Sequence, residues 1–304
     1  MKKKCILSLF VSGILITSIV FTGCGNGGST LSKNKEDKDQ HITVAFTKND
    51  LQTLDPSKST DLASGYVIQE CTESLAREEI KNGKDQYVPA GAKDWSVSQD
   101  GKTWTFHLRK NKWADGKDVT ADQYVYSIKR TLAKDTASDY AYLLIGSGIK
   151  GASDYNEGKC SQDEVGVKAL DDLTLQITLD HPCGYFTKLL SNKLFAPQRE
   201  DFVNKYGDKY GQTAESIPCN GPFKLTFFQN GSKIELVKNN DYWDKNKVKL
   251  NTVTMMFLKD ENARMDSLMN KQIDLCEVDK KEWIDKFSKL SNFFQIKSDY
   301  PEIN

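Results

Sequence analysis

The side chains most able to do chemistry are few and scattered. The three histidines, His41, His107 and His181, form no HExxH pair and no two stand at ligand spacing, so none is assigned to a metal. Five cysteines follow Cys24: Cys71, Cys160, Cys183, Cys219 and Cys276. An odd set without CxxC or mixed Cys/His spacing is neither a disulfide framework nor a zinc site. Thiols so placed are usually small buried apolar residues; a single Cys183–Cys219 bridge is the alternative. The adjacent carboxylates of Asp171 and Asp172 could do acid–base work, but they fall between two alternating apolar runs and read as a turn. Trp104, Trp113 and Trp243 could be stacking platforms for sugars or bases, yet Trp104 lies on an alternating strand and core packing is expected for all three. No GxSxG, Walker loop or Cys-His constellation appears. An enzyme is not expected, and neither is a cofactor or metal.

Cys24 is the exception. It follows a basic start, MKKK, an apolar run from Cys5 to Phe21, and Thr22-Gly23. A charged start, an apolar stretch and small residues before a cut site make a secretory signal peptide. A Cys directly after Thr-Gly resembles a bacterial lipobox, which implies lipidation of Cys24 and residues 1–23 as the cleaved signal. A membrane-spanning helix is the competing reading, but the run falls short of the roughly 20 apolar residues needed. The expected location is the outer face of the cytoplasmic membrane, with lipid on Cys24 as the membrane contact.

The 304 residues carry 42 basic and 42 acidic side chains. Three of the lysines lie in the signal segment, so the remainder is slightly acidic. This balance gives no electrostatic case for nucleic acid. Residues 24–40 are rich in Gly, Ser, Asn and charge. Such a segment cannot bury enough apolar surface to offset its ordering entropy. It is expected to be a flexible tether with a reach of roughly 20–25 Å.

Folded structure is expected from His41, where Ile42, Val44 and Phe46 alternate as a strand. A helix is expected over residues 64–76, from Val67, Ile68, Cys71 and Leu75. Three hairpins follow. They turn at Asp100-Gly101, Asp171-Asp172 and Asn230-Gly231, and both Asp-Gly and Asn-Gly tolerate the positive φ of tight turns. Thr120 and Gln123 form a capping-box pattern ahead of Tyr124, Ile128 and Leu132. Further helices are expected at 186–190 and 265–269, with a strand at 273–278. Hairpins among helices make a mixed α/β fold rather than a regular β/α alternation.

Six stretches, in order, resemble the extracellular solute-binding protein family 5, and within it the oligopeptide-binding lipoproteins of ABC importers. They are TLDPSKSTD from Thr53, WSVSQDGKTWTFHLR from Trp95, WADGKDVTADQYVYSIKR from Trp113, DTASDY from Asp135, GVKALDDLTLQITLDHPCGYFTKLL from Gly166 and NGPFKLTFFQNGSKIELVKNNDYWD from Asn220. The resemblance implies a type II periplasmic-binding-protein architecture. Residues 41–71 plus 196–250 would form the first lobe and 72–195 an inserted subdomain. Residues 251–304 would begin a second lobe that is only started here, since the family runs on well past this length.

The residues alone leave Ser59, Thr60, Asp61 and Leu62 as a loop entering a helix, with Asp61 near its N-cap. The resemblance makes them a strand-like segment reading peptide backbone. A peptide's N–H and C=O groups are costly to bury unpaired, so a tolerant binder reads them with its own backbone. The resemblance also places Tyr140, Asn220 and Tyr300 on the ligand, although Pro301 interrupts the aromatic run expected at Tyr300. It implies a monomeric, lipid-anchored receptor handing short peptides to the permease subunits of an ABC importer. The alternatives are the same fold holding a nickel chelate, haem, oligosaccharide or pheromone peptide, or a lipoprotein fragment that binds nothing.

Overall fold

A computed structural model describes residues 39–47, 51–81, 84–278 and 280–293. The signal segment, Cys24, nearly all of the tether and Tyr300 lie outside the described residues. The strands are β1 (His41–Phe46), β2 (Ala76–Lys81), β3 (Lys84–Pro89), β4 (Ala92–Val97), β5 (Thr103–Leu108), β6 (Val167–Asp171), β7 (Thr174–Thr178), β8 (Phe223–Gln229), β9 (Lys233–Lys238), β10 (Thr252–Phe257) and β11 (Leu275–Cys276). The helices are α1 (Leu62–Cys71), α2 (Ala121–Leu132), α3 (Ala141–Gly146), α4 (Ala152–Asn156), α5 (Phe186–Leu189), α6 (Glu200–Tyr206), α7 (Glu261–Met269) and α8 (Lys281–Phe287). The fold is mixed α/β.

The first sheet has the order β11-β1-β10-β9-β8. β1 runs parallel to both β10 and β11, and the other pairs are antiparallel. Val44, Ala45 and Phe46 are buried in succession, because both faces of the sheet are covered. Val44 and Phe46 join a core with Val67, Ile68, Leu236, Val253 and Met255. Ala45 faces a second, smaller core built by Met265, Ile273, Cys276 and Phe287.

This sheet runs across the domain boundary expected at 251. β10 pairs with β1 over six residues, from His41↔Thr252 to Phe46↔Phe257, and lies inside the sheet. Met255 and Phe257 are core residues of the same body as β1. Residues 252–276 thus share a sheet with β1, and α7 and α8 pack on its second face. The strand expected over 273–278 is only the two-residue edge β11.

The other body contains a four-stranded antiparallel sheet, β4-β5-β7-β6, and the separate hairpin β2–β3. Its core runs from Leu75 to Phe195 and includes Trp104, Phe106, Trp113, Tyr124, Ile128, Leu175, Ile177 and Phe186. Gln123 Oε1 accepts the Thr120 N–H (3.0 Å) and the Trp113 indole N–H (2.8 Å), which fixes the start of α2 against the core. Trp104 and Trp113 are buried and Trp243 packs against the first lobe's core, so none offers an open ring face. Asp171 Oδ1 accepts the Leu173 N–H (2.8 Å) as a turn residue. Cys183 belongs to this core and Cys219 to the first lobe's. The Cys183–Cys219 pairing considered from sequence is therefore ruled out by placement.

Candidate functional site

The segment between β1 and α1 is bolted to the inserted body by buried polar groups. Asp55 is almost fully buried, and its carboxylate takes two hydrogen bonds from the Arg130 guanidinium, at 2.8 and 2.6 Å. Burial opposes the charge on Arg130, but the Asp55 hydrogen bonds and charge outweigh it and raise its pKa. Arg130 also donates to Gln198 Oε1 (2.8 Å), and Gln198 Nε2 donates to Ser57 Oγ (2.8 Å) and Ser127 Oγ (2.9 Å). Asp55 Oδ1 accepts the Ser57 N–H (3.0 Å). Arg130 stands on α2 of the inserted body, so the network joins the two bodies directly beneath the segment. Gly211 makes room for the turn. Its φ is +83°, its carbonyl accepts the Leu54 N–H (2.8 Å), and a Cβ there would meet Asp55 N at 2.4 Å.

Ser59, Thr60, Asp61 and Leu62 follow at once. Asp61 is extended (φ −89°, ψ 152°) and caps α1, accepting the Ser64 N–H at 2.8 Å. Ser59 is fully buried, with its carbonyl and hydroxyl both engaged by the Lys193 ammonium. Ser138 Oγ donates to the Ser57 carbonyl (2.5 Å), and the Tyr140 hydroxyl donates to the Thr60 carbonyl (3.1 Å). The carbonyls of the segment thus point into the protein and are satisfied there. The N–H groups of Thr60 and Asp61 meet no acceptor among the described residues. Leu62 is 64% exposed and Tyr142, against the edge of the Tyr140 ring, is 60% exposed. Two N–H groups without an acceptor, with apolar side chains alongside, can donate to the carbonyls of an extended chain and cover its side chains.

Lys193, which holds Ser59 from behind, was missed in the sequence. It is buried, lies 5.3 Å from the centre of the Tyr140 ring, and its pKa is pushed down to about 8 by burial, against the pull of Asp61 and Asp55. A buried lysine behind a backbone segment is invisible without its partner, which lies 134 positions away. Arg130, Gln198 and Ser138 were missed for the same reason. The only signal was Lys193 itself, a charge directly before the apolar pair Leu194-Phe195.

Asn220 lies elsewhere. It sits at the C-terminal end of α1, where its Oδ1 accepts the Glu73 N–H (3.2 Å) and its carbonyl accepts from Asn111 Nδ2 (2.8 Å). Ten helical residues separate it from Asp61, about 15 Å along the axis. Its Nδ2 is buried and meets no acceptor. Ser59–Leu62 and Tyr140 are thus brought together, and Asn220 is not brought to them. Close to Asn220, Glu73 receives hydrogen bonds from Arg77 (2.7 Å), Trp243 Nε1 (3.1 Å) and the Tyr242 hydroxyl. All three reach Oε2, so this carboxylate oxygen ties residues of the two bodies together. Glu70, nearby and buried, has an unpartnered Oε1, and burial drives its pKa up to about 8. Among the described residues no group of three or more His, Cys, Asp or Glu is placed to hold a metal, and no helix is long and apolar enough to cross a membrane.

Residues 86–299 match the family model described as bacterial extracellular solute-binding proteins, family 5 middle. The oligopeptide-binding protein OppA of Bacillus subtilis is 34% identical over 267 residues, which are 87% of this chain and 48% of that protein. The dipeptide-binding protein of Lactococcus lactis is 31% identical over 299 residues, 96% of this chain and 52% of that protein. Among solved structures, the substrate-binding domain of an oligopeptide ABC transporter from Bacillus anthracis superposes with a TM-score of 0.77 at 34% identity, covering 84% of this chain and 48% of that one. The murein tripeptide binding protein MppA of Escherichia coli gives 0.77 at 33% identity, covering 84% and 49%. The chain spans about half the length of the curated relatives it matches.

Proposed function

This chain belongs to family 5 of the bacterial extracellular solute-binding proteins, a non-enzymatic class that works outside the cytoplasm, and we propose that it contributes the first lobe and inserted subdomain of a receptor for short peptides that serves an ABC importer. The observation that carries this reading is the Ser59–Leu62 segment. Its carbonyls are held by Lys193 and Tyr140, while the N–H groups of Thr60 and Asp61 meet no acceptor among the described residues. Backbone donors on a rigid mount suit a ligand whose side chains vary and whose backbone does not. Tyr140 supplies a flat apolar face beside the segment, and Ser59 acts through its buried contact with Lys193. Asn220, with its free Nδ2, and Tyr300 remain candidates for ligand contact from other parts of the structure. The names of the relatives, which specify oligopeptides, dipeptides and murein tripeptide, support a peptide over a nickel chelate, haem or an oligosaccharide.

The same reading places the receptor at the outer face of the cytoplasmic membrane as a monomer, held by diacylglycerol on Cys24. One lipid group with two acyl chains anchors stably where a single chain would not. Cys24→Ala should move the protein out of the membrane fraction; retention there with the signal cleaved would refute the anchor. The ligand class is tested by native mass spectrometry of the protein with equimolar mixtures of tri- and tetrapeptides, haem, nickel chelates and oligosaccharides. Peptide adducts alone are expected. Adducts of another class with no peptide bound would overturn the proposal.

A further inference from the structure

The five cysteines after Cys24 fall into unlike environments, and one pair stands apart. Cys71 closes α1 and Cys219 precedes Asn220-Gly221, and both belong to the first lobe's core. The segments carrying them are locked together. The N–H groups of Asn220 and Gly221 both donate to the Cys71 carbonyl at 2.9 Å. A Cβ on Gly221 would meet Thr72 N at 2.7 Å and the Cys71 carbonyl carbon at 2.8 Å, so only glycine permits this approach. Both thiols are free and buried beside this contact. Each thiol shifts the other, Cys219 downward despite its burial and Cys71 upward, while the Cys219 S–H donates to the Ile217 carbonyl (3.6 Å). Cys160, Cys183 and Cys276 show no such pairing: Cys160 is partly exposed in the inserted body, Cys183 lies in that body's core, and Cys276 lies on β11.

We propose that Cys71 and Cys219 form a disulfide that ties the point where the chain leaves the first lobe for the inserted subdomain to the point where it has returned. The proposal rests on the extracytoplasmic location, where disulfides persist. The chemistry is thiol–disulfide exchange with a disulfide oxidant. The thiolate of Cys219 attacks the oxidant's S–S bond, forming a mixed disulfide and releasing one oxidant thiol. The thiolate of Cys71 then attacks the Cys219 sulfur, forming the Cys71–Cys219 bond and releasing the second thiol. Two electrons and two protons pass from the protein's thiols to the oxidant. Both thiols are buried once folded, at 0% and 3% exposure, so exchange belongs to folding or to transient opening of the 218–221 segment. The bond would constrain the unfolded chain over nearly half its length, and such long-loop cross-links stabilise most.

The test maps cysteines on the wild-type protein after refolding in a mixture of oxidised and reduced glutathione, which separates it from any question of location. Free thiols are alkylated in denaturant without reduction, and the protein is digested with trypsin. The expected product is a linked pair of residues 59–77 with 210–224, while Cys160, Cys183 and Cys276 are alkylated. Reduction should abolish the pair and lower Tm by roughly 5–15 °C. Alkylation of all five cysteines after oxidative refolding to the native state, or a linkage between any other two, would overturn the proposal. Cys71→Ala supplies a second reading. If the bond exists, the Tm of this variant becomes insensitive to reductant; a drop as large as that of the wild type would refute it.

Discussion

Replacing Asp55 by Asn keeps the shape of the side chain and its acceptor for the Ser57 N–H, and removes only the negative charge. Asp55 is 2% exposed and the Arg130 side chain 11%, so the guanidinium would be left buried opposite a neutral amide. Water cannot rescue it at that depth. Only neutral acceptors would remain, Gln198 Oε1 at 2.8 Å and the amide oxygen in place of Oδ1. Two unit charges 4 Å apart at an effective dielectric near 20 interact by about 4 kcal/mol, and breaking a buried pair by removing one partner typically costs about 3–5 kcal/mol. At about 2–4 °C per kcal/mol for a body of this size, Tm should fall by roughly 6–20 °C. Thermal and urea unfolding measure this directly. Asp55→Asn combined with Arg130→Gln removes both charges and should recover part of the loss, because the penalty lies in the orphaned charge. A loss within about 1 kcal/mol for Asp55→Asn alone would show that the joint between the two bodies does not rest on this pair.

Glu70 gives a pH-dependent prediction. Its folded pKa, about 8, lies above the ordinary 4.5, so the folded state binds the extra proton between those values. The associated stability is fully present below about pH 4.5 and is lost as pH rises toward 8. Glu70→Gln should therefore be neutral near pH 4.5 and increasingly stabilising above it, with a ceiling of about 5 kcal/mol; urea unfolding at pH 5, 7 and 8.5 that shows a constant difference would refute this. Tyr140→Phe removes the hydrogen bond to the Thr60 carbonyl and should cost about 1 kcal/mol, with amide exchange accelerated at Thr60 and Asp61 but not in β5 or β7. Because β10 lies between β1 and β9, its amides should exchange as slowly as those of β1, while α8 exchanges faster. Fast exchange throughout 252–257 would contradict its place inside the sheet.

Local chemistry was legible wherever the determining residues are neighbours. The Asp100-Gly101 and Asn230-Gly231 turns have positive φ at both glycines, and the Thr120–Gln123 box opens α2. Asn230 also does something no local pattern announces: its side chain exchanges hydrogen bonds with both the N–H and the carbonyl of Leu51. What stayed hidden is non-local. The apolar alternation of Thr252–Phe257 identifies a strand and says nothing of its partner, and its parallel pairing with β1 spans some 210 residues. The hairpin β2–β3 escaped notice because its exposed residues, such as Glu79, Lys81 and Lys84, carry little apolar alternation. The Ser59–Leu62 segment was found by resemblance to a family, whereas Asp55, Arg130 and Lys193, which hold it, acquire meaning only through contacts across 75 and 134 positions.

Thr60 and Asp61 are proposed to offer backbone N–H groups to a peptide. Amide resonances followed while mixed-sequence tetrapeptides are added test it most directly. Saturable shifts and slowed exchange are expected at Thr60 and Asp61, similar for peptides of unrelated side chains, with smaller changes at Tyr140. Saturable binding that leaves these two amides unchanged and perturbs another part of the chain would contradict it.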